Sequence, residues 1–301
     1  MKIAFMFAGQ GSQHIGMGRD LYDSIPLVKV IYDQYPTIRD LCFNENELLN
    51  QTAYAQKCML LTSYAIAKAV EAKGVKPEYV LGLSLGEYSA LAFADTWTLD
   101  EAIDIISNRG KIMQNALPLG TTKMAAVIGL DRGKVLEGIK VKNGVCEVAN
   151  YNCPGQIVIT GDNAGVDEAM ENMKSLGALK VVELNVSGAF HSSFLDNASK
   201  ELRKVLDKYT PNTPKYKVVY NVSGKEETRP LNDILEDQIH NSVYFEDSLK
   251  YLIEQGVDTF VEIGPGKALS GFLKRIDRKI KCYTLEDLAS IEDAINNLLN
   301  D

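Results

Sequence analysis

Short apolar runs alternate along this chain with amphipathic stretches, a pattern that predicts an α/β fold built on a mostly parallel sheet. The runs Lys2 to Phe7, Tyr79 to Leu83, Lys217 to Tyr220, Thr259 to Ile263 and Ile280 to Leu285 read as buried strands. Leu60, Leu61, Tyr64, Ala65, Ala67, Lys68 and Val70 repeat at helical spacing, predicting a helix from about Gln56 to Lys73 that ends at Gly74, ahead of Pro77. A second helix follows Thr98-Leu99-Asp100-Glu101, where threonine and the glutamate three residues on form a capping box.

The middle of the chain has a different rhythm. Strand (Met124 to Leu130), helix (Arg132 to Ile139), strand (Val145 to Asn150), strand (Gln156 to Thr160), helix (Ala164 to Leu176) and strand (Leu179 to Val186) succeed one another. That βαββαβ order is ferredoxin-like. The expected organisation is a large α/β domain over residues 1–122 and 187–301, with a small ferredoxin-like domain inserted at 123–186. A further helix is expected from about Phe194 to Leu206.

Composition narrows the function. At 301 residues, 46% hydrophobic and 24% charged, the chain can bury a large core. No apolar run reaches the roughly 18 to 20 residues that cross a bilayer, so no membrane span is expected. The first apolar run stops at Gly9-Gln10-Gly11 without a small-residue cleavage site, which predicts a cytoplasmic protein. A net charge of −8 disfavours nucleic acid as a ligand. Cys42, Cys58, Cys146, Cys153 and Cys282 are odd in number, scattered and never spaced C-x-x-C, so reduced thiols are expected and no metal is implied.

Gly82-Leu83-Ser84-Leu85-Gly86 is a G-x-S-x-G between a predicted strand and a predicted helix. This is the setting of a nucleophile elbow, in which a sharp turn lifts the serine hydroxyl clear of the backbone. It would also put Ser84 at a helix N-terminus, with the Leu85 N–H free to donate to an oxyanion. A glycine-flanked N-cap serine gives the same residues without chemistry. A serine nucleophile needs a base, and the histidines are His14, His191 and His240. His191, in a loop of small residues, is the leading candidate.

Gly9-Gln10-Gly11-Ser12-Gln13 follows the first strand and would share an edge with Ser84 if their strands are neighbours. It has neither the P-loop lysine nor the dinucleotide spacing, so no nucleotide cofactor is expected. Arg109 interrupts an apolar helix pattern and is either a solvated arginine or a cation buried to grip a carboxylate. Asn150 and Asn152 are expected at a turn before Pro154-Gly155.

Together these segments resemble one family, the malonyl-CoA:acyl-carrier-protein transacylases of fatty acid synthesis, relatives of polyketide-synthase acyltransferase domains. The matches are Phe7-Ala8-Gly9-Gln10-Gly11-Ser12-Gln13, Gly82 to Leu91, Arg109-Gly110 with Met113-Gln114, Met124 to Leu130, Asn150 with Asn152-x-Pro154-Gly155-Gln156, Ala189-Phe190-His191-Ser192, and Glu262-x-Gly264-Pro265-Gly266. The resemblance implies that Ser84 is acylated, that His191 is its base, and that Gln10 and Leu85 N–H groups form the oxyanion hole. It further implies that Arg109 binds the malonyl carboxylate and that a main-chain carbonyl, at Gln238, orients His191. Asn150 and Asn152 would line the cleft, and Phe190 would leave little room for an α-methyl branch. Leu83 stands where most relatives have histidine, which alters the polarity of the acyl pocket.

The implied reaction is ping-pong transfer from malonyl-CoA to acyl carrier protein, with no cofactor. Acyl carrier proteins are usually acidic, so the carrier is expected near Lys267, Lys274, Arg275, Arg278 and Lys279, in a segment (267–281) with six basic residues against one acid. Serine hydrolases share G-x-S-x-G, and a non-catalytic CoA-binding module is the alternative outside enzymes.

Overall fold

The run Ile3-Ala4-Phe5-Met6-Phe7 forms a strand buried at every position, as a strand covered on both faces must be. A computed structural model describes residues 1–300. Its strands are β1 (Ile3–Phe7), β2 (Tyr79–Gly82), β3 (Thr122–Ile128), β4 (Cys146–Cys153), β5 (Gln156–Asp162), β6 (Lys180–Leu184), β7 (Lys217–Val218), β8 (Thr259–Ile263) and β9 (Lys281–Leu285). They make two sheets, ordered β7-β2-β1-β8-β9 and β4-β5-β3-β6.

The first sheet is parallel throughout. β1 sits at its centre, and Phe7 is in register with Gly82 of β2 and Ile263 of β8. The segments that follow these three strands therefore leave from one edge, where parallel sheets bind ligands. The 52–72 helix packs on this sheet and is buried on most of its surface. The Leu99–Asn115 helix lies against it and starts at the expected capping box, with Thr98 Oγ1 accepting from Glu101 N–H at 3.3 Å and Glu101 Oε2 accepting from Thr98 N–H at 2.8 Å. Such a cap contributes roughly 1 kcal/mol.

The second sheet is antiparallel and has the ferredoxin-like order. Alternation along its strands separates two environments. Ala125, Val127, Ile157 and Ile159 pack with Val135 and Val166 of the two helices, whereas Met124 and Val158 join the core of the large domain. The outer edge of β4 is not left open: Val243 N–H donates to Ala149 O and Tyr151 N–H to Val243 O, both at 2.8 Å.

Several element bounds differ from expectation for local reasons. The long helix begins at Thr52, not near Gln56, because no side chain caps it and so no sequence signal marks its start. Gly129, at φ 93°, ends β3 before Leu130. Asn150 and Asn152 are not turn residues: β4 runs on to Cys153 through two register shifts, and the turn is Pro154-Gly155 alone. Among the described residues no helix is long and apolar enough to cross a membrane.

Candidate active site

Ser84 stands between the end of β2 and the Leu85–Phe93 helix, at φ 55° and ψ −107°. A non-glycine residue pays about 1–3 kcal/mol for such a backbone. The flanking glycines are steric requirements. A Cβ on Gly82 would lie 2.0 Å from the Gly86 carbonyl carbon, and one on Gly86 would lie 2.2 Å from Phe7 O. The turn is held from outside as well, because Ser84 N–H donates to Asn221 Oδ1 at 2.8 Å and Gln238 Nε2 donates to Ser84 O at 2.8 Å.

His191 also has a positive φ, 56°, in the loop after β6. Its Nε2 is 2.7 Å from Ser84 Oγ, and its Nδ1 is 2.8 Å from Gln238 O. A carbonyl only accepts, so Nδ1 carries the ring proton and Nε2 is left to accept from the serine. Burial, and then the charge of Arg109, push the imidazole down to about 4, so it is neutral near pH 7. His14 and His240 are elsewhere: His14 meets Ile15 O at 3.1 Å on the surface, and His240 meets Asp196 at 2.7 Å.

Arg109 is fully buried, which discards the solvated alternative. Its Nη1 donates to Gln56 Oε1 at 2.8 Å, and its Nη2 to Gln238 Oε1 at 3.0 Å and Ser84 Oγ at 3.2 Å. The guanidinium also lies 4.9 Å from the Tyr88 ring centroid. Arginine cannot accept, so the hydroxyl proton of Ser84 remains directed at His191. None of these hydrogen-bond acceptors is a carboxylate. The cation is therefore held by dipoles and a ring face, an arrangement that favours any anion brought to it. The acid whose charge reaches it is Glu87, itself buried and pushed up to about 8 by burial.

A cavity of about 600 Å³ opens over this cluster, between the large sheet's loops and the small sheet. Gln10, Leu83, Ser84, Asn150, Asn152, Phe190 and His191 line it, whereas Arg109 sits behind Gln56 and Ser84. Gln10 comes from the loop after β1, next to the elbow because β1 and β2 pair directly. The Gln10 side chain donates to Thr52 Oγ1 at 3.1 Å. Leu85 is buried at the first position of its helix, and such an N–H has no intrahelical acceptor. An open groove of about 830 Å³ adjoins this cavity, sharing Gln10, Asn50, Asn185 and Val186.

A serine on a strained elbow, a neutral imidazole and a buried arginine thus meet at one oxygen, an arrangement that can activate a hydroxyl for nucleophilic attack. The acyl transferase domain family matches residues 4–281. The chain belongs to that family. A malonyl CoA-acyl carrier protein transacylase of Bacillus subtilis is 39% identical to it over 308 aligned positions, 99% of this chain and 97% of that protein. The crystal structure of a malonyl CoA-acyl carrier protein transacylase from Clostridium perfringens is 38% identical, with a TM-score of 0.96 over 100% of this chain and 98% of the other. A malonyl-transacylase solved in complex with its type II PKS acyl-carrier protein is 34% identical, with a TM-score of 0.95 over 99% of this chain and 100% of that one.

The basic segment of this acyltransferase lies close to the cavity. Glu262 Oε1 and Oε2 accept from Leu269 N–H at 3.0 Å and Ser270 N–H at 2.8 Å, fixing the start of the Ala268–Ile276 helix. Ala268, Leu269 and Phe272 line the cavity, and Lys274 and Arg275 close the same helix in exposed positions. Lys267, Arg278 and Lys279 are exposed beside them. Two residues of the cluster escaped the sequence reading. Gln56 is a buried amide at the expected start of an amphipathic helix, where a polar residue is ordinary, and Asn221 is the lone amide in Val218-Val219-Tyr220-Asn221-Val222. A polar group inside an apolar run is the only signal Asn221 offers, and Gln56, between Ala55 and Lys57, offers none.

Proposed function

We propose that this acyltransferase carries a malonyl group from malonyl-CoA to the phosphopantetheine thiol of acyl carrier protein by a ping-pong route through a malonyl-serine ester. His191 Nε2 takes the Ser84 proton as Oγ attacks the thioester carbonyl. The oxyanion is held by the Gln10 and Leu85 N–H groups at the positive end of the Leu85–Phe93 helix. The tetrahedral intermediate collapses, CoA leaves as its thiol with the proton from His191, and malonyl remains on Ser84. The carrier thiol then gives its proton to His191 and attacks the ester. The second intermediate expels Ser84, which recovers the proton. Both ends of the reaction are thioesters, so catalysis acts on barriers and not on the equilibrium.

The observation that carries this reading is that Ser84 Oγ is shared by His191 Nε2 at 2.7 Å and Arg109 Nη2 at 3.2 Å. A base and an unpaired cation at one nucleophile fit an acyl group that ends in a carboxylate. The carboxylate would take over guanidinium donors now satisfied by Gln56 and Ser84. Phe190, buried against the cavity, would exclude an α-methyl branch, and Leu83 gives the acyl pocket an apolar wall. Asn150 and Asn152 of β4 offer amides to the pantetheine arm. Residues 123–186 act as the inserted domain that closes this cleft over the large domain of residues 1–122 and 187–301. The relatives' names support malonyl-CoA as donor, and the complex with a carrier protein supports carrier as acceptor. The exposed cations from Lys267 to Lys279 form the carrier's landing site. Unpaired thiols at all five cysteines agree with a cytoplasmic setting.

Incubation with labelled malonyl-CoA and holo carrier protein tests the activity: label should pass to the carrier thiol far faster than it appears as free malonate. Free malonate as the main product would mark a hydrolase instead.

A further inference from the structure

We infer that Asn221 is a positioning residue of the elbow, its carboxamide bridging the turn so that the Ser84 hydroxyl stays aimed at the attacked carbonyl. The inference rests on the reading of Ser84 as the acylated residue.

The turn needs an external hold. Ser84 is at φ 55° and ψ −107°, a region side-chain-bearing residues avoid, and an N-cap N–H has no partner within its own helix. Asn221 supplies both missing contacts with one planar group. Its Oδ1 accepts from Ser84 N–H at 2.8 Å and its Nδ2 donates to Gly82 O at 2.7 Å, so the amide spans the turn on either side of Leu83.

The chemistry selects asparagine. One donor and one acceptor must be presented side by side at short reach. Aspartate offers two acceptors, leucine neither, and glutamine is a methylene too long.

Asn221 is itself immobilised. It is fully buried, its N–H donates to Glu87 Oε2 at 2.6 Å, and its carbonyl accepts from Tyr244 N–H at 2.8 Å. Glu87 belongs to the helix that Ser84 caps, so the contact closes a ring from Ser84 through Asn221 back to the Leu85–Phe93 helix. With Gln238 on the Ser84 carbonyl, both backbone polar groups of the nucleophile are gripped by side chains distant in sequence.

The test compares Ser84 acylation by rapid quench with ligand binding. Asn221→Ala should slow malonyl-enzyme formation on the order of 100-fold, the cost of a small misplacement of a reacting atom. Asn221→Asp, which keeps the volume and the acceptor, should slow it about 10-fold and covers the case in which the alanine variant does not fold. In a Ser84→Ala background, adding Asn221→Ala should leave the malonyl-CoA Kd within about threefold, because uniform binding is not what the elbow supplies. Acylation at the wild-type rate in either variant would overturn the inference. So would a parallel loss of binding, which would make Asn221 a general folding residue. A wild-type enzyme that never carries malonyl on Ser84 would instead sink the serine reading, a distinct result.

Discussion

Ser84 Oγ and His191 Nε2 are 2.7 Å apart, and both residues hold a positive φ, at 55° and 56°. Strain of about 1–3 kcal/mol per residue persists only where surrounding contacts over-determine it. Here those contacts are Asn221 and Gln238 at the serine, and the Gln238 carbonyl at the histidine. Gln238 thus acts twice, once through its side chain and once through its backbone.

Arg109 should set selectivity. A site built around a buried cation is left unpaired by a substrate lacking the carboxylate, a loss comparable to breaking a buried ion pair. Arg109→Ala is expected to lower kcat/KM for malonyl-CoA roughly 100- to 1,000-fold and acetyl transfer by less than about tenfold. Parallel assays with the two acyl-CoA donors check this. Equal losses would remove Arg109 from substrate recognition.

The pH profile follows from the imidazole. In the proposed mechanism the neutral form acts as the base, and burial pushes His191 down to about 4. So kcat/KM should stay flat from about pH 6 to 8 and fall only below about pH 5. Stability should move in the same direction. Between about 6.5, the usual histidine value, and 4 the unfolded chain binds the extra proton, so the native state weakens as pH drops through that window. Urea titrations of wild type and His191→Gln across this range should show a shallower acid slope for the variant. A kinetic midpoint near 6.5 would place His191 in a solvated, unperturbed setting.

Carrier recognition should be electrostatic and local. Reversing Lys274 and Arg275 to glutamate is expected to raise the carrier KM about tenfold at low ionic strength, with the penalty shrinking as salt is added. Initial rates against carrier concentration at several salt levels measure it. An unchanged KM at low salt would make these side chains bystanders.

Much of this site is legible in the sequence because its chemistry demands particular local geometry. Gly82 and Gly86 flank Ser84 since any Cβ there meets backbone within about 2 Å, so the elbow leaves a fixed spacing behind. Arg109 stands out as a charge in an apolar helix, although its burial needed the packing to be seen. His191 is one of three histidines, and the family resemblance points to it. Asn150 and Asn152 read as turn residues because Pro154-Gly155 follows, whereas the register shifts of β4 keep both amides in the strand and facing the cavity. Gln56 and Asn221 leave no such trace. Their partners, Arg109 and Ser84, are 53 and 137 residues away, and a contact of that separation exists only once the chain has folded.

In the proposed reaction one hydroxyl carries the acyl group between two thiols. Intact-mass spectrometry through time after mixing with malonyl-CoA tests it most directly. A single malonyl adduct is expected that maps to Ser84, is absent from Ser84→Ala and disappears when holo carrier protein is added. Malonyl transfer to the carrier by Ser84→Ala at the wild-type rate, or an adduct that survives that substitution, would contradict it.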